Sequence, residues 1–121
     1  MNQSGFTLVE LMVVVVIIVI VSSFAVPAYQ SYVETSQEGT LRSSLMTVEV
    51  FQEDYFLRRG FYANNLANVA AIEGEIGWAP RNDDGTTYSI ANSDGTFYQM
   101  TAVHPDGMTI CMRFPDRDPC V

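Results

Sequence analysis

The first part of the chain is dominated by an apolar stretch. The run from Leu11 to Val21 contains no polar residue. Between Phe6 and Val26 the polar residues are few: Thr7, Glu10, Ser22 and Ser23. As a helix, this stretch spans ~30 Å, which is the thickness of the hydrocarbon core of a bilayer. The pattern therefore predicts a membrane-spanning helix.

A secretory signal peptide is the first alternative to a lasting membrane anchor. Such a signal has a basic start, a short apolar region and a cleavage site with small residues. Residues Met1–Gly5 contain no Lys or Arg, and the apolar run is long and continues into a polar helical pattern. Neither alternative explains Glu10, because an acid within a membrane segment costs at least ~2.5 kcal/mol. We interpret Glu10 as functional; a shallow position that reaches the lipid headgroups is the alternative.

The residues around Glu10 carry a family resemblance. The chain resembles the amino terminus of a type IV prepilin in Gly5-Phe6-Thr7-Leu8-Val9-Glu10-Leu11, in the Val/Ile run that follows, and in Pro27 and Tyr29. The resemblance implies a leader at residues 1–5, cleavage between Gly5 and Phe6, and methylation of the new amino terminus at Phe6. It also implies that the Glu10 carboxylate pairs with the α-amino group of Phe6 in a neighbouring filament subunit. The leader departs from the family pattern, since it has no Lys or Arg before Gly5.

A second periodic pattern predicts that the helix continues from Ala28 to about Arg59. A spacing of three and four residues defines a first apolar face, suited to packing on a sheet, which consists of Leu41, Leu45, Val48, Phe51, Tyr55 and Phe56. A second apolar face lies roughly opposite and consists of Tyr32, Met46, Val50 and Leu57. We expect the second apolar face to meet neighbouring helices in a filament. The alternative is that the rest of the chain wraps further around the helix.

Two residues mark where this long helix bends most easily. Pro27 cannot donate to the helical hydrogen-bond ladder, and Gly39 lowers helix propensity by ~1 kcal/mol relative to Ala. The sequence is thereby divided into a leader (1–5), a transmembrane and filament-core helix (6–27), the amphipathic half of the helix (28–59), a connecting loop (60–85), and an antiparallel sheet with a C-terminal loop (86–121).

The last part of the chain has the pattern of a loop and a small antiparallel sheet. One short helical turn is predicted at Asn64–Ala70 within the loop. Alternation and turn residues predict three strands, with a hairpin turn at Asn92–Gly95 between the first two. The predicted strands are Thr86–Ala91, Thr96–Val103 and Met108–Phe114, and the core candidates are Tyr88, Ile90, Phe97 and Ile110. The segments Gln52–Phe56 and Gly60–Tyr62 are more loosely similar to the minor pilin subgroup.

The two cysteines, Cys111 and Cys120, favour a disulfide over a metal site, because the chain has no CxxC motif and no histidine cluster. The segment between them is expected to have little packing of its own. The family resemblance implies an exposed loop that contributes to subunit contacts or binding. A plain covalent staple is the alternative.

Charge excludes several classes of protein. The chain carries six Arg, no Lys and fourteen acids, a formal charge of −8, which argues against a nucleic-acid-binding domain.

A catalytic or metal role for His104, the single histidine, is disfavoured by its position in a turn. Asp83-Asp84-Gly85 lacks the ligand spacing of a calcium loop and indicates a turn. No enzyme, cofactor or metal is predicted.

Taken together, the patterns and the resemblance predict an α+β protein in which a long N-terminal helix packs on a small antiparallel sheet, like a type IV pilin. The expected function is that of a pilus subunit, a minor pilin, which supports adhesion or motility. The expected partners are other pilin subunits, the prepilin peptidase, the inner-membrane assembly machinery and, before assembly, membrane lipid. The chain is expected first in the bacterial inner membrane, with its sheet in the periplasm, and then in the extracellular pilus. The alternatives are a pseudopilin of a type II secretion system and a pilin that binds DNA for uptake.

Overall fold

The computed structural model describes residues 4–81, 83–91 and 94–120. Within these ranges the chain forms two helices and four strands: α1 (Leu8–Arg59), α2 (Val69–Ile76), β1 (Thr87–Ala91), β2 (Tyr98–Val103), β3 (Thr109–Phe114) and β4 (Asp118–Pro119). The predicted fold class, a long apolar helix with a small antiparallel sheet, is confirmed. Two predictions fall partly outside the described residues, because they include Met1–Gln3 of the leader and Asn92 and Ser93 of the hairpin turn.

The chain divides into two compact units, an N-terminal unit (Met1–Gln37) and a C-terminal unit (Glu38–Val121). In the described part of the N-terminal unit no side chain is buried. Its large apolar side chains from Phe6 to Val26 are each 48–90% exposed. Among the described helices, α1 is the one long and apolar enough to cross a membrane. Pro27 lies inside α1, and its predicted role as a bend, like that of Gly39, stays a prediction.

In the C-terminal unit, α1 buries one stripe of side chains. The buried residues are Leu41, Leu45, Val48, Gln52 and Tyr55. The inclusion of Phe51 in this face was wrong, since Phe51 is 39% exposed at the edge of the stripe while Gln52 is fully buried at its centre. Residues of the second apolar face are open to solvent in this unit, with Met46, Val50 and Leu57 exposed by 42%, 69% and 83%. The sheet therefore does not cover that face.

The sheet is an antiparallel meander in the order β1-β2-β3-β4. Tyr88 pairs with Ala102, and Ile90 pairs with Met100, so their side chains share the face that packs on α1. The predicted core residues Tyr88, Ile90 and Ile110 are buried. The prediction of Phe97 as a core residue was wrong, because the side chains of β2 that point inward are those of Tyr98, Met100 and Ala102. A register displaced by one residue exchanges the two faces of a strand.

The connecting loop differs from its prediction. The helical turn expected at Asn64–Ala70 was wrong in position, because α2 spans Val69–Ile76 and begins where the Asn68 side chain accepts a hydrogen bond from the Ala71 N–H (2.8 Å). Before the helix, Leu66 forms a β-bridge with Ile90. This bridge covers part of the open edge of β1, where unpaired backbone groups would otherwise attract other strands.

The C-terminal segment carries a strand that the sequence did not reveal. The predicted disulfide between Cys111 and Cys120 is confirmed, with the two Cα atoms 5.4 Å apart. The expectation of a loop with little packing was wrong, since β3 continues to the buried Phe114 and β4 then pairs back on it. The disulfide therefore closes a strand-turn-strand unit.

Candidate functional site

The candidate assembly site lies at the beginning of α1. Gly5 and Phe6 precede the helix, belong to no regular element and are exposed, with Phe6 90% accessible. The Thr7 hydroxyl accepts a hydrogen bond from the Glu10 N–H (3.1 Å). In return, the Glu10 carboxylate accepts from the Thr7 N–H (2.9 Å) and from the Thr7 hydroxyl (3.1 Å). This reciprocal capping box fixes where the helix begins.

The capping box determines the position of the Glu10 carboxylate. Both partners of the carboxylate belong to Thr7, whose N–H follows directly on the Phe6 carbonyl. A bond broken between Gly5 and Phe6 would leave an ammonium group on Phe6, one residue before the N-cap. A cation is disfavoured at the positive end of a helix dipole, so it gains from a nearby carboxylate. The sequence prediction identified Glu10 but missed Thr7, although the Thr-x-x-Glu spacing is the signature of a capping box.

Gln52 connects the helix to the chain that follows it. Its amide nitrogen donates to the Ala63 carbonyl (3.0 Å), and its amide oxygen accepts from the Ala63 N–H (2.9 Å). A fully buried amide needs such partners, because an unpaired buried polar group is costly. Sequence reasoning missed this contact, since the partner is backbone and leaves no side-chain signal.

Three more hydrogen bonds join aromatic side chains to distant parts of the C-terminal unit. The Tyr55 hydroxyl donates to Glu75 (2.7 Å), the Tyr62 hydroxyl to Glu53 (2.6 Å), and the Trp78 indole N–H to Thr47 (2.8 Å). Burial and the bond to Glu53 raise the pKa of Tyr62 to about 12. Burial raises the pKa of Tyr98 as well. Both phenols remain neutral at physiological pH, and the Tyr62 hydroxyl acts as a donor to Glu53.

The turn between β3 and β4 is fixed to the helix by charge. The Arg117 guanidinium lies 3.0 Å from the Glu49 carboxylate and donates to it through Nε (3.1 Å). Arg117 adopts a positive φ of 63°, which is uncommon for a residue other than glycine. The disulfide and this ion pair hold the turn at two separate points.

His104 lies between two aspartates. Its Nδ1 atom is 2.9 Å from Asp106, and its Nε2 atom is 3.9 Å from Asp84. Asp84 accepts a hydrogen bond from the Thr86 N–H (3.0 Å), so it also orders its own turn. Among the residues that the structure describes, no group of three or more His, Cys, Asp or Glu side chains could hold a metal ion.

Comparison with known proteins gives the context for the amino terminus. The pattern described as the prokaryotic N-terminal methylation motif matches residues 1–26. A type IV major fimbrial protein of Dichelobacter nodosus is 38% identical over 97 residues, which cover 78% of this chain and 55% of that protein. The chain is thus similar to type IV pilins. It spans about half the length of the curated pilins from Dichelobacter nodosus that it matches.

A second pilin covers more of the chain. The major component of the type IV wide pilus of Thermus thermophilus is 29% identical over 116 residues, or 96% of this chain and 85% of that protein. The similarity to the pilin family therefore extends beyond the apolar helix into the sheet. No solved structure matches the chain significantly.

Proposed function

We propose that the chain is a structural subunit of a type IV pilus. Its support is the coincidence of the methylation motif at residues 1–26 with an apolar helix start whose described side chains are all exposed within one copy. Exposed apolar surface of this extent needs lipid or other helices to cover it. Residues 6–27 would lie in the inner membrane, with the C-terminal unit in the periplasm, until the subunit enters the filament.

Cleavage and methylation are the first steps of this proposal. The bond between Gly5 and Phe6 lies in an exposed segment before the helix, where a prepilin peptidase can bind it in an extended form. Mass spectrometry of purified pili tests the step directly. We expect a mature chain that begins with N-methylated Phe6, whereas an intact Met1 terminus in assembled filaments would contradict the proposal. The amount of this chain relative to other subunits would also decide its predicted minor status, for which the names of the relatives give no support.

Glu10 would then select the incoming subunit. In a filament core its carboxylate is removed from water and requires a cation, and the ammonium group of Phe6 on a neighbour supplies one. The capping box holds the carboxylate beside the first turn of its own helix, so its position is defined before the neighbour arrives. The alternative of a shallow Glu10 that only contacts headgroups predicts no effect on assembly.

The second apolar face would extend these helix contacts beyond the membrane segment. Val50 and Leu57 are exposed in the C-terminal unit, and the sheet packs on the opposite side of α1. We expect Val50→Asp to abolish assembly without lowering the melting temperature. Ala70→Asp is a matched control, because it adds the same charge at an exposed position of α2, outside the second apolar face. A Val50→Asp protein that is also unstable would show that this face belongs to the fold instead.

Two other functions remain as alternatives. A pseudopilin of a type II secretion system would share the N-terminal features, but the names of the relatives refer to fimbriae and pili. Reconstitution of filaments from cells that lack the secretion system would separate the two. A DNA-binding uptake pilin is disfavoured by the formal charge of −8, and tight binding in a gel-shift titration at low salt would overturn this view.

A further inference from the structure

One cavity in the C-terminal unit has a composition that none of the roles above explains. It measures about 390 Å³ and lies where α1, the chain that follows it, α2 and the β1–β2 turn meet. Three aromatic side chains line it, Tyr55, Phe61 and Tyr62, together with the carboxylates of Glu75 and Asp94. A cavity with aromatic walls and carboxylates is suited to an organic cation, because ring faces and carboxylates both attract positive charge.

The aromatic walls are held in fixed positions. Tyr55 and Phe61 meet edge to face, with ring centroids 5.9 Å apart. The hydroxyls of Tyr55 and Tyr62 donate to Glu75 and Glu53, so neither ring can turn freely. Phe61 is 48% exposed despite its size, which leaves part of its ring open to a ligand.

The two carboxylates lack a cationic partner. In the part of the chain that the structure describes, no Arg or His side chain lies within 4.0 Å of the carboxylate of Glu75 or Asp94. Asp94 accepts hydrogen bonds from the Thr96 N–H and hydroxyl through one oxygen, and these bonds lower its pKa, so it is charged at neutral pH. Glu75 accepts from Tyr55. Among the described residues, one oxygen of each carboxylate therefore has no hydrogen-bond partner.

The same chain already places guanidinium groups over aromatic rings. Arg113 lies over the ring of Phe97 at 4.3 Å, and Arg59 over that of Tyr55 at 5.6 Å. Arg59 does not line the cavity. A guanidinium is planar and offers several donors, so it can contact a ring and both carboxylates at once.

We propose that this cavity binds an alkylguanidinium group. Two sources share this chemistry: a free small guanidinium compound and Arg81 of a second copy of the chain. Arg81 is exposed, and within the described residues it is the arginine for which neither an ion pair nor a ring contact is found. The site is independent of the proposed pilus function, so either can fail without the other.

The test uses the full chain in non-ionic detergent micelles. Butylguanidinium is titrated against the isotope-labelled protein, and amide shifts of Ala63 and Asn64 in the cavity wall are followed. Butylurea, which has the same shape without the charge, is the matched ligand. Since ring contacts and exposed ion pairs are individually weak, we expect a Kd on the order of 1 mM for butylguanidinium. No saturable shift is expected with butylurea, and equal shifts with both ligands would overturn the proposal.

Variants define which groups bind. Glu75→Gln should weaken binding by about fivefold, the equivalent of one exposed ion pair. Glu73→Gln is the matched control, because it removes the same charge from an exposed position of α2 outside the cavity. Phe61→Leu should weaken binding by about twofold through loss of the ring. Unchanged affinity in Glu75→Gln, with the amide spectrum intact, would contradict the proposal.

A dilution series then distinguishes the two sources. Shifts of the cavity amides that grow with protein concentration and disappear in Arg81→Gln would identify a second copy as the source. Shifts that are independent of protein concentration would leave the free compound as the ligand. A concentration-dependent shift that persists in Arg81→Gln would exclude the Arg81 source.

Discussion

The two units of the chain share one helix but differ in what covers its apolar side chains. In the C-terminal unit, Leu45 and Val48 are fully buried under the sheet. In the N-terminal unit, side chains of the same type, such as Val14 and Ile17, are about half exposed. The C-terminal unit therefore contains its own core, whereas the described side chains of the N-terminal unit have none within one copy. Under the proposed function, this difference separates residues that determine stability from residues that determine assembly.

The largest expected effect is on assembly and concerns Glu10. Glu10→Gln keeps the capping box, since Gln can also accept from Thr7, but it removes the charge. An unpaired ammonium group in the filament core costs about 3–5 kcal/mol, so we expect pilus yield to fall by more than a hundredfold. Sheared pili are quantified against total cellular protein. The control is Glu34→Gln, an exposed acid on the same helix, and a normal pilus yield from Glu10→Gln would contradict the proposed role.

The second effect is on stability alone. Leu45→Ala should destabilise the C-terminal unit by about 2–5 kcal/mol, because it removes a fully buried side chain. Leu57→Ala makes the same chemical change at a side chain that is 83% exposed, and we expect it to alter stability by less than about 0.5 kcal/mol. Thermal unfolding of both variants measures the contrast. Equal losses would show that Leu57 is covered in the native protein.

The third effect concerns the disulfide. Replacement of Cys111 and Cys120 by Ser should cost about 2–3 kcal/mol, because the cross-link restricts the unfolded chain over a separation of nine residues. Unfolding of the double variant is compared with that of the native protein, and pilus yield is measured separately. If the pilus yield stays low at a reduced temperature at which the double variant is folded, the segment makes subunit contacts. If the pilus yield recovers together with the folded fraction, the disulfide is only a staple.

The smallest expected effect appears at high pH. Tyr62 has a pKa of about 12 in the folded chain and about 10 when unfolded, so folding favours its neutral form. The stability from this group is complete below pH 10 and is lost as the pH rises from 10 to 12. We expect a loss of roughly 1–3 kcal/mol across that window. Tyr62→Phe should be less stable than the native protein at neutral pH, and its free energy of unfolding should fall less between pH 10 and 12. If that free energy falls equally steeply in both proteins, Tyr62 is not the source of the pH dependence.

The sequence predicted the parts of the fold that depend on regular periodicity. Leu41, Leu45 and Val48 follow the helical spacing, and Tyr88 and Ile90 follow the alternation of a strand, so both sets were placed in the core. Phe97 and Tyr98 are adjacent aromatic residues, and periodicity alone does not decide which one points inward. The fourth strand has only two residues, Asp118 and Pro119, and such a segment carries no pattern of its own.

Polar partners were harder to predict than apolar ones. Gln52 would be expected at the surface, but its amide satisfies the backbone of Ala63 eleven residues further along the chain. Arg117 and Glu49 are separated by 68 residues, and no local rule joins them. Glu10 was found because it is a charge in an apolar run, whereas its partner Thr7 is an ordinary residue there.

The order of strands in the sheet has a kinetic consequence. Every strand pairs with the strand next to it in sequence, from β1 to β4, so no pairing has to wait for a distant segment. Such local topologies fold quickly, because little chain entropy is lost before each contact forms. Because the chain is synthesised from its amino end, β1 and β2 can pair before β3 is complete. The sheet can then grow strand by strand against the part of α1 that precedes it in the chain.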